Sequence, residues 1–319
     1  MIFTPEVVTI FLLNTLFFFF GSLAFVLSIK IVKSWNFDST SKKQYALQKS
    51  AYLTATIIKY IFFVKVPLFL FFIFTLDKTS NIISGAMCGA GVVDATEYGL
   101  YLLVLKVLNI YLFAYWILLH TLDTQSEEEQ FIRYKFTLFS VFYFLLVGEI
   151  ILEFFMFSSI DVSSVVDCCG VIYSSSSSSY FSVILGADLS LLLTLFYALF
   201  ILMFLAFFFK KRELFSLLNL LFMVMALITL ITFYSTYIYE LPTHKCPFCF
   251  LQKDYNYIGY ILYIVLFIGT FSGLVMAFVK TSERVLLELY RVSIAFNLTY
   301  ILLVSWYPFY YYINNGVWM

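Results

Sequence analysis

Five cysteines are the residues of this 319-residue chain best suited to chemistry: Cys88, Cys168, Cys169, Cys246 and Cys249. They fall in three polar stretches that alternate with long apolar runs. A thiolate acts as a nucleophile or a metal ligand only where a partner or an ion can reach it. Thiols gathered in polar loops therefore indicate disulfide exchange or metal handling, and the sequence leaves both open.

The sharpest motif is the pair Cys246 and Cys249 in the last of these stretches. Two cysteines at C-x-x-C spacing close a small disulfide ring, and a nearby cation such as Lys245 favours the reactive thiolate. Pro247 fixes one backbone dihedral and removes one backbone donor beside the sulfur atoms. The pattern favours a redox-active pair, and the alternative is a static disulfide that braces the loop.

The same stretch also contains a candidate metal site. His244, Cys246 and Cys249 supply one imidazole and two thiolates. One more cysteine would complete the four-coordinate shell that zinc prefers, and thiolates also suit copper in its Cu(I) state. This alternative makes the protein a metal-binding membrane protein, or the metal-binding membrane subunit of a transporter.

The other three cysteines lie upstream in two separate stretches. Cys168 and Cys169 are adjacent, and neighbours bond to each other only in a strained, easily reduced ring. Cys88 lies in the glycine-rich segment 85–91, where glycines let the backbone approach closely. Because five is odd, at least one thiol in an oxidising compartment is free, metal-bound or paired with another protein. We predict that the stretches converge, with Cys88, Cys168 or Cys169 within disulfide reach of a cysteine from another stretch.

The elements that carry these loops are predicted to be transmembrane helices. Hydrophobic residues make up 63% of the chain and charged residues 12%, against about 25% charged in a soluble domain. A helix needs about 20 apolar residues to cross a bilayer, and the chain has eight such runs. The sequence thus predicts an all-α polytopic membrane protein, with residues 1–319 forming a single transmembrane domain. The predicted spans are about 7–29, 54–76, 98–120, 136–158, 181–209, 214–236, 257–279 and 292–313.

Lys and Arg residues predict the orientation of these spans. Fourteen lie in or beside the loops that follow the odd-numbered spans, whereas the opposite set has only Lys78, Lys245 and Lys253. Basic residues resist translocation, so both termini and all five cysteines are expected outside. In a bacterial inner membrane that side is the periplasm, where disulfides persist.

Ionisable residues inside the spans form a second group of candidates. Counted in from the external helix ends at about 1.5 Å per residue, Lys106, Glu149, Glu153 and Asp188 lie roughly 8–13 Å deep. Lys65 lies nearer the midplane of the second span. Charges in lipid cost several kcal/mol unless they are paired or face water. Two interpretations stay open: structural ion pairs, or a proton route for quinone or disulfide chemistry.

Residues 246–253, C-P-F-C-F-L-Q-K, resemble the C-x-L-C-x-x-Q-R signature of the DsbB-type membrane disulfide oxidases. Phe248 stands where that family usually has Leu, and Lys253 where it has Arg. The resemblance implies that Cys246 and Cys249 are a redox pair close to a quinone, with Gln252 and Lys253 as cofactor-binding residues. It also implies electron transfer from periplasmic dithiols to quinone.

The leading hypothesis is a thiol–disulfide exchange protein embedded in the lipid bilayer. In this scheme Cys88 or the Cys168–Cys169 pair receives electrons from a periplasmic thioredoxin-like partner, and Cys246 and Cys249 relay them inward, with quinone as the candidate acceptor. The alternatives are the zinc or copper site and a non-catalytic subunit that works with other membrane subunits.

A P-loop, an H-E-x-x-H motif and a C-x-x-C-H motif are absent from the sequence, which argues against a nucleotide hydrolase, a zinc protease and a c-type cytochrome. The net charge of zero gives no indication of a nucleic-acid partner.

Overall fold

The computed structural model describes residues 4–36, 39, 41–125, 131–162, 165–166, 187–279 and 281–319. Helices account for 82% of these residues, and none of them forms a strand. Eight helices in this part of the chain are long and apolar enough to cross a membrane, which confirms the all-α polytopic prediction. The helices are α1 (Pro5–Ser34), α2 (Lys42–Ser80), α3 (Gly89–Asp94), α4 (Gly99–Gln125), α5 (Ile132–Ser159), α6 (Leu189–Phe208), α7 (Arg212–Thr229), α8 (Ser235–Tyr239), α9 (Ile258–Val275) and α10 (Glu283–Asn315).

Local capping explains why some helices extend beyond the apolar runs. Ser41 caps α2 by accepting a hydrogen bond from the Gln44 amide at 3.3 Å, so the helix begins at Lys42 rather than near residue 54. Residues 42–53, which precede the predicted span 54–76, are therefore helical. At the other end of the chain, α10 stops at Gly316, whose φ of +73° suits a residue without a side chain.

The described helices group into two compact units, each containing four of the eight spans. Unit 1 comprises the described residues of Met1–Ser84 and Val92–Val166, and unit 2 comprises those of Gly85–Gly91 and Asp167–Met319. The sequence showed no such division, because hydropathy reports which helices enter lipid and not which helices pack together.

Unit 1 is built around aromatic packing. Its helix α1 packs against α2 and α5, and α4 also packs against α2 and α5. The fully buried rings of Phe62 and Phe113 stack with centroids 4.1 Å apart, and Trp116 meets Phe62 edge-on at 5.6 Å. The Trp116 indole donates a hydrogen bond to the Lys135 carbonyl at 2.8 Å, so its one polar atom is satisfied inside the core.

Unit 2 depends on two glycines of α9 for close helix packing. Gly269 and Gly273 follow the G-x-x-x-G spacing that lets helix backbones approach in membranes. A Cβ atom at Gly273 would lie 1.9 Å from the Asn219 amide nitrogen of α7. That nitrogen donates to the Ser293 hydroxyl of α10 at 2.8 Å, so polar side chains fill the groove that the glycines leave.

Replacing Gly269 with alanine is expected to lower the free energy of unfolding by about 1–3 kcal/mol, as overpacking does. The new Cβ would lie 2.3 Å from the Asn297 side-chain oxygen and 2.9 Å from its backbone nitrogen, so backbone must move. Gly148→Ala in α5 is the control, because its nearest neighbour, a methyl of Leu105, lies 3.8 Å away. Unfolding of both variants in detergent checks this, and equal stability would contradict the packing role of Gly269.

Candidate functional site

Three thiols from distant parts of the sequence form one cluster in unit 2. The sulfur atoms of Cys88, Cys246 and Cys249 all lie within 4.8 Å of one another, and those of Cys88 and Cys246 are 3.5 Å apart. No disulfide joins the three to one another. Cys88 and Cys246 are fully buried, and Cys249 is 5% exposed. The predicted convergence of the first and third cysteine stretches is confirmed.

Cys168 and Cys169 lie outside the described residues. Their role as first electron acceptors stays a prediction. The structure places Cys88 against Cys246, which lies 158 residues later in the sequence. The sequence had not singled out this pair.

The end of the sixth span brings the chain into this cluster. After α7 the helix widens into a π-helical turn, Leu230–Tyr234, and continues as α8. Glu240 then takes up a left-handed conformation with φ of +53°, which ends the helix. The Cys246 loop and a 3₁₀ turn at Cys249–Leu251 follow before α9 begins. π-Turns inside helices are frequent at functional sites, and this one lies in the helix that precedes the cysteine loop.

Two tyrosine hydroxyls hold the backbone of the cysteine loop. Tyr239 donates to the Cys246 carbonyl and accepts from the Phe250 amide at 3.0 Å, so a single side chain bridges both ends of the C-P-F-C segment. Tyr263 donates to the Pro247 carbonyl at 2.9 Å. Sequence reasoning missed both, because the chain has 25 tyrosines and nothing in their spacing marks these two.

One backbone amide also points at a sulfur atom. The Phe248 amide donates to Cys246 Sγ at 3.4 Å, two residues along the chain. Donors of this kind stabilise negative charge on sulfur, in a thiolate or a metal-bound thiolate alike. Cys246 therefore has both a hydrogen-bond donor and a neighbouring sulfur.

Gln252 and Lys253, the expected cofactor-binding residues, differ in their surroundings. The Gln252 side-chain amide donates to the Met87 carbonyl at 3.2 Å and so links the last cysteine stretch to the segment that carries Cys88. Lys253 is exposed at the start of a second 3₁₀ turn. Gln252 therefore helps position Cys88, and the quinone-binding role of both residues stays a prediction.

Within the part of the chain that the structure describes, His244 is not a member of the thiol cluster. Its ring packs edge-on against Tyr239 with centroids 4.6 Å apart. Among the described residues, the group that meets metal-ligand spacing consists of Cys88, Cys246 and Cys249. The structure thus places Cys88 where the sequence had suggested His244.

In unit 1, four of the ionisable residues singled out from the sequence form ion pairs. Glu149 Oε1 lies 3.0 Å from Lys65 Nζ and 2.9 Å from Lys106 Nζ, and Lys106 Nζ also lies 2.9 Å from Glu153 Oε1. None of the four side chains is more than 4% exposed. Two positive and two negative side chains therefore balance in charge where these helices pack together. The proton route stays a prediction.

Asn14 closes these ion pairs into a ring. Its amide nitrogen donates to Glu153 Oε2 at 2.7 Å, and its oxygen accepts from Lys65 Nζ at 3.0 Å. We call Asn14, Lys65, Glu149, Lys106 and Glu153 the ion ring, to which α1, α2, α4 and α5 all contribute. Asn14 was missed because the sequence analysis looked for charges, although an amide inside a phenylalanine-rich span was a visible signal.

Asp188 is not part of the ion ring. It is exposed, belongs to unit 2 and caps α6 by accepting a hydrogen bond from the Ser190 amide at 3.1 Å. The predicted depth of this carboxylate assumed a span that began at residue 181. Because α6 begins at Leu189, Asp188 lies at the helix end and not within it.

A second buried ion pair lies outside the predicted spans 98–120 and 136–158. Asp123, fully buried near the end of α4, forms an ion pair with Lys135, which is 4% exposed at the start of α5. The Asp123 carboxylate also accepts a hydrogen bond from the Phe131 amide at 2.9 Å. This pair ties the two helices together where they meet.

Comparison with protein-family models, with curated proteins and with solved structures gives no match for this chain. The similarity to DsbB-type oxidases therefore rests on residues 246–253 alone, and the function is argued from the geometry of the site.

Proposed function

We propose that this multi-pass membrane protein is a thiol–disulfide exchange protein. In this proposal Cys246 is the sulfur that forms a disulfide with either Cys88 or Cys249. The observation that carries the proposal is the 3.5 Å contact between Cys88 and Cys246, with Cys249 within 4.8 Å of both. A disulfide needs its sulfur atoms at about 2.05 Å, so either bond to Cys246 requires only a small movement. Three neighbouring thiols are the minimum for moving a disulfide from one pair to another.

The exchange step balances within the cluster. The Cys88 thiolate attacks Cys246 of a Cys246–Cys249 disulfide, a Cys88–Cys246 bond forms, and Cys249 leaves as the thiolate. In the full cycle a thioredoxin-like dithiol partner is oxidised and gives two electrons and two protons to the protein disulfide. A quinone then takes up two electrons and two protons as the protein dithiol closes again, and it becomes a hydroquinone.

The proposal places the cluster on the periplasmic side of a bacterial inner membrane. The fourteen-to-three distribution of basic residues supports this orientation, because basic loops stay in the cytoplasm. Disulfides persist on the periplasmic side, whereas cytoplasmic thiols are kept reduced. The eight membrane-spanning helices support contact with lipid, through which a quinone would arrive.

Disulfide mapping by mass spectrometry tests the proposal. The purified protein is reduced, exposed to an oxidised thioredoxin-like protein or to a soluble quinone, quenched by alkylation and digested. We expect Cys88–Cys246 and Cys246–Cys249 bonds in the wild type. Cys249→Ser should trap the first bond and Cys88→Ser the second, because each substitution removes one of the two partners of Cys246.

A matched variant outside the cluster provides the control. His244→Ala removes the imidazole next to the loop and should leave both bonds unchanged, because disulfide exchange needs only sulfur atoms. Thiols that stay reduced under both oxidants would refute the exchange function. A single bond that forms once and never re-opens would favour a subunit in which a disulfide only braces the loop.

A further inference from the structure

We propose that the reduced cluster of Cys88, Cys246 and Cys249 binds one thiophilic metal ion with a filled d shell, of the class of Zn²⁺ and Cu(I). The inference rests on the reduced state that the proposed function also requires, but it does not depend on disulfide exchange. It assigns to this site a ligand set that differs from the histidine-containing set suggested by the sequence.

The distances between the sulfur atoms fit such an ion. Zinc–sulfur bonds of about 2.3 Å in a tetrahedral shell place neighbouring sulfur atoms about 3.8 Å apart. In the cluster one pair lies at 3.5 Å, and all pairs lie within 4.8 Å. Each sulfur atom would move by less than about 1 Å to meet this geometry.

The number of thiols also suits a metal ion. A disulfide joins two sulfur atoms, so three clustered thiols always leave one outside the bond. A metal ion engages all three, which gives Cys88, Cys246 and Cys249 a common role. Soft thiolate ligands select zinc and Cu(I) over harder ions such as Mg²⁺ or Ca²⁺.

Burial and hydrogen bonding suit a bound cation. The three residues are at most 5% exposed, so the charge of several thiolates at this position requires compensation. A metal ion supplies positive charge at the centre of the cluster, and the Phe248 amide adds a hydrogen bond to Cys246 Sγ. Among the described residues the ligand group ends at three, which leaves a fourth position for zinc or a three-coordinate shell for Cu(I).

Metal binding to the intact protein tests the inference. The protein is reduced without oxygen, incubated with Zn²⁺ or with Cu(I), freed of excess ion and analysed for metal and sulfur by atomic emission. We expect about one ion per chain for at least one of the two metals, and the ion that is retained identifies which of them the site prefers. Cd²⁺ should produce a thiolate-to-metal absorption band in the ultraviolet at the same stoichiometry.

Substitutions identify the ligands. Cys88→Ser, Cys246→Ser and Cys249→Ser should each weaken metal binding at least tenfold, whereas His244→Ala should retain it. Bound metal should also slow alkylation of all three thiols in the wild type, a result that needs no variant to fold. Circular dichroism and gel filtration confirm that each variant keeps its helices.

The inference is overturned if the reduced wild type retains neither ion, or if His244→Ala loses metal as completely as Cys88→Ser does. Failure of the two proposals can be told apart. A protein that binds metal but forms no disulfide refutes the exchange function alone, and a protein that exchanges disulfides but binds no metal refutes this inference alone.

Discussion

Replacing Glu149 with glutamine is expected to lower the free energy of unfolding by about 3–5 kcal/mol, the cost of breaking a buried ion pair. Glu149 accepts from both Lys65 and Lys106 and from the Asn109 amide at 2.6 Å, so its charge compensates two ammonium groups. With glutamine in its place, two buried lysines face the single carboxylate of Glu153. Thermal or denaturant unfolding in detergent micelles measures the loss.

The exposed pair Arg284–Glu288 provides the control for this experiment. These side chains are 89% and 61% exposed and lie 3.5 Å apart, so Glu288→Gln should change stability by well under about 1 kcal/mol. Combining Glu149→Gln with Lys65→Met restores charge balance and should recover a large part of the loss. If the double variant is less stable than Glu149→Gln, the effect does not arise from unpaired charge.

Replacing Tyr239 with phenylalanine is expected to raise the rate of alkylation of Cys246 and Cys249 by about 10- to 100-fold. The substitution removes one hydroxyl and leaves the Cys246 carbonyl and the Phe250 amide without that partner inside the protein. Each unsatisfied group costs about 1 kcal/mol or more, so the two together weaken the closed loop by at least about 2 kcal/mol, which is about 30-fold in the population of the opened loop. Mass spectrometry of the reduced protein after timed exposure to a water-soluble maleimide measures the rate.

Tyr263→Phe is the matched comparison, because it keeps the ring and removes a hydroxyl that donates to the Pro247 carbonyl alone. Its alkylation rate should rise less than that of Tyr239→Phe. Equal rates in the wild type and in Tyr239→Phe would show that the hydroxyl does not hold the loop closed. A larger rise for Tyr263→Phe would assign that role to the other tyrosine.

The features that could be predicted from sequence are those on which the membrane imposes strict requirements. A helix that crosses lipid needs a long apolar run, so all eight spans were visible, although capping residues such as Ser41 moved their ends. Lys65, Lys106, Glu149 and Glu153 stood out for the same reason, since charge inside a span is costly. Asp188 was misplaced because apolar residues before α6 made the predicted span begin too early.

The features that could not be predicted depend on which chain segments meet in three dimensions. His244 is two residues from Cys246 and was the natural choice of ligand, yet Cys88, 158 residues away, lies against that sulfur. Tyr239 carries no chemical signal of its own, and its role comes from the turn that follows α8. Asn14 is uncharged, so only its position against Lys65 and Glu153 shows that it completes the ion ring.

The ion ring also has a consequence for how the protein is made. Lys65 precedes its carboxylate partner Glu149 by 84 residues, so the second span leaves the ribosome long before the fifth helix exists. A lysine near the centre of a lone helix costs about 2.5–3.5 kcal/mol on entering the bilayer from the translocon. Biogenesis of unit 1 is therefore expected to release its helices into lipid late and together, once Glu149 and Glu153 have been synthesised.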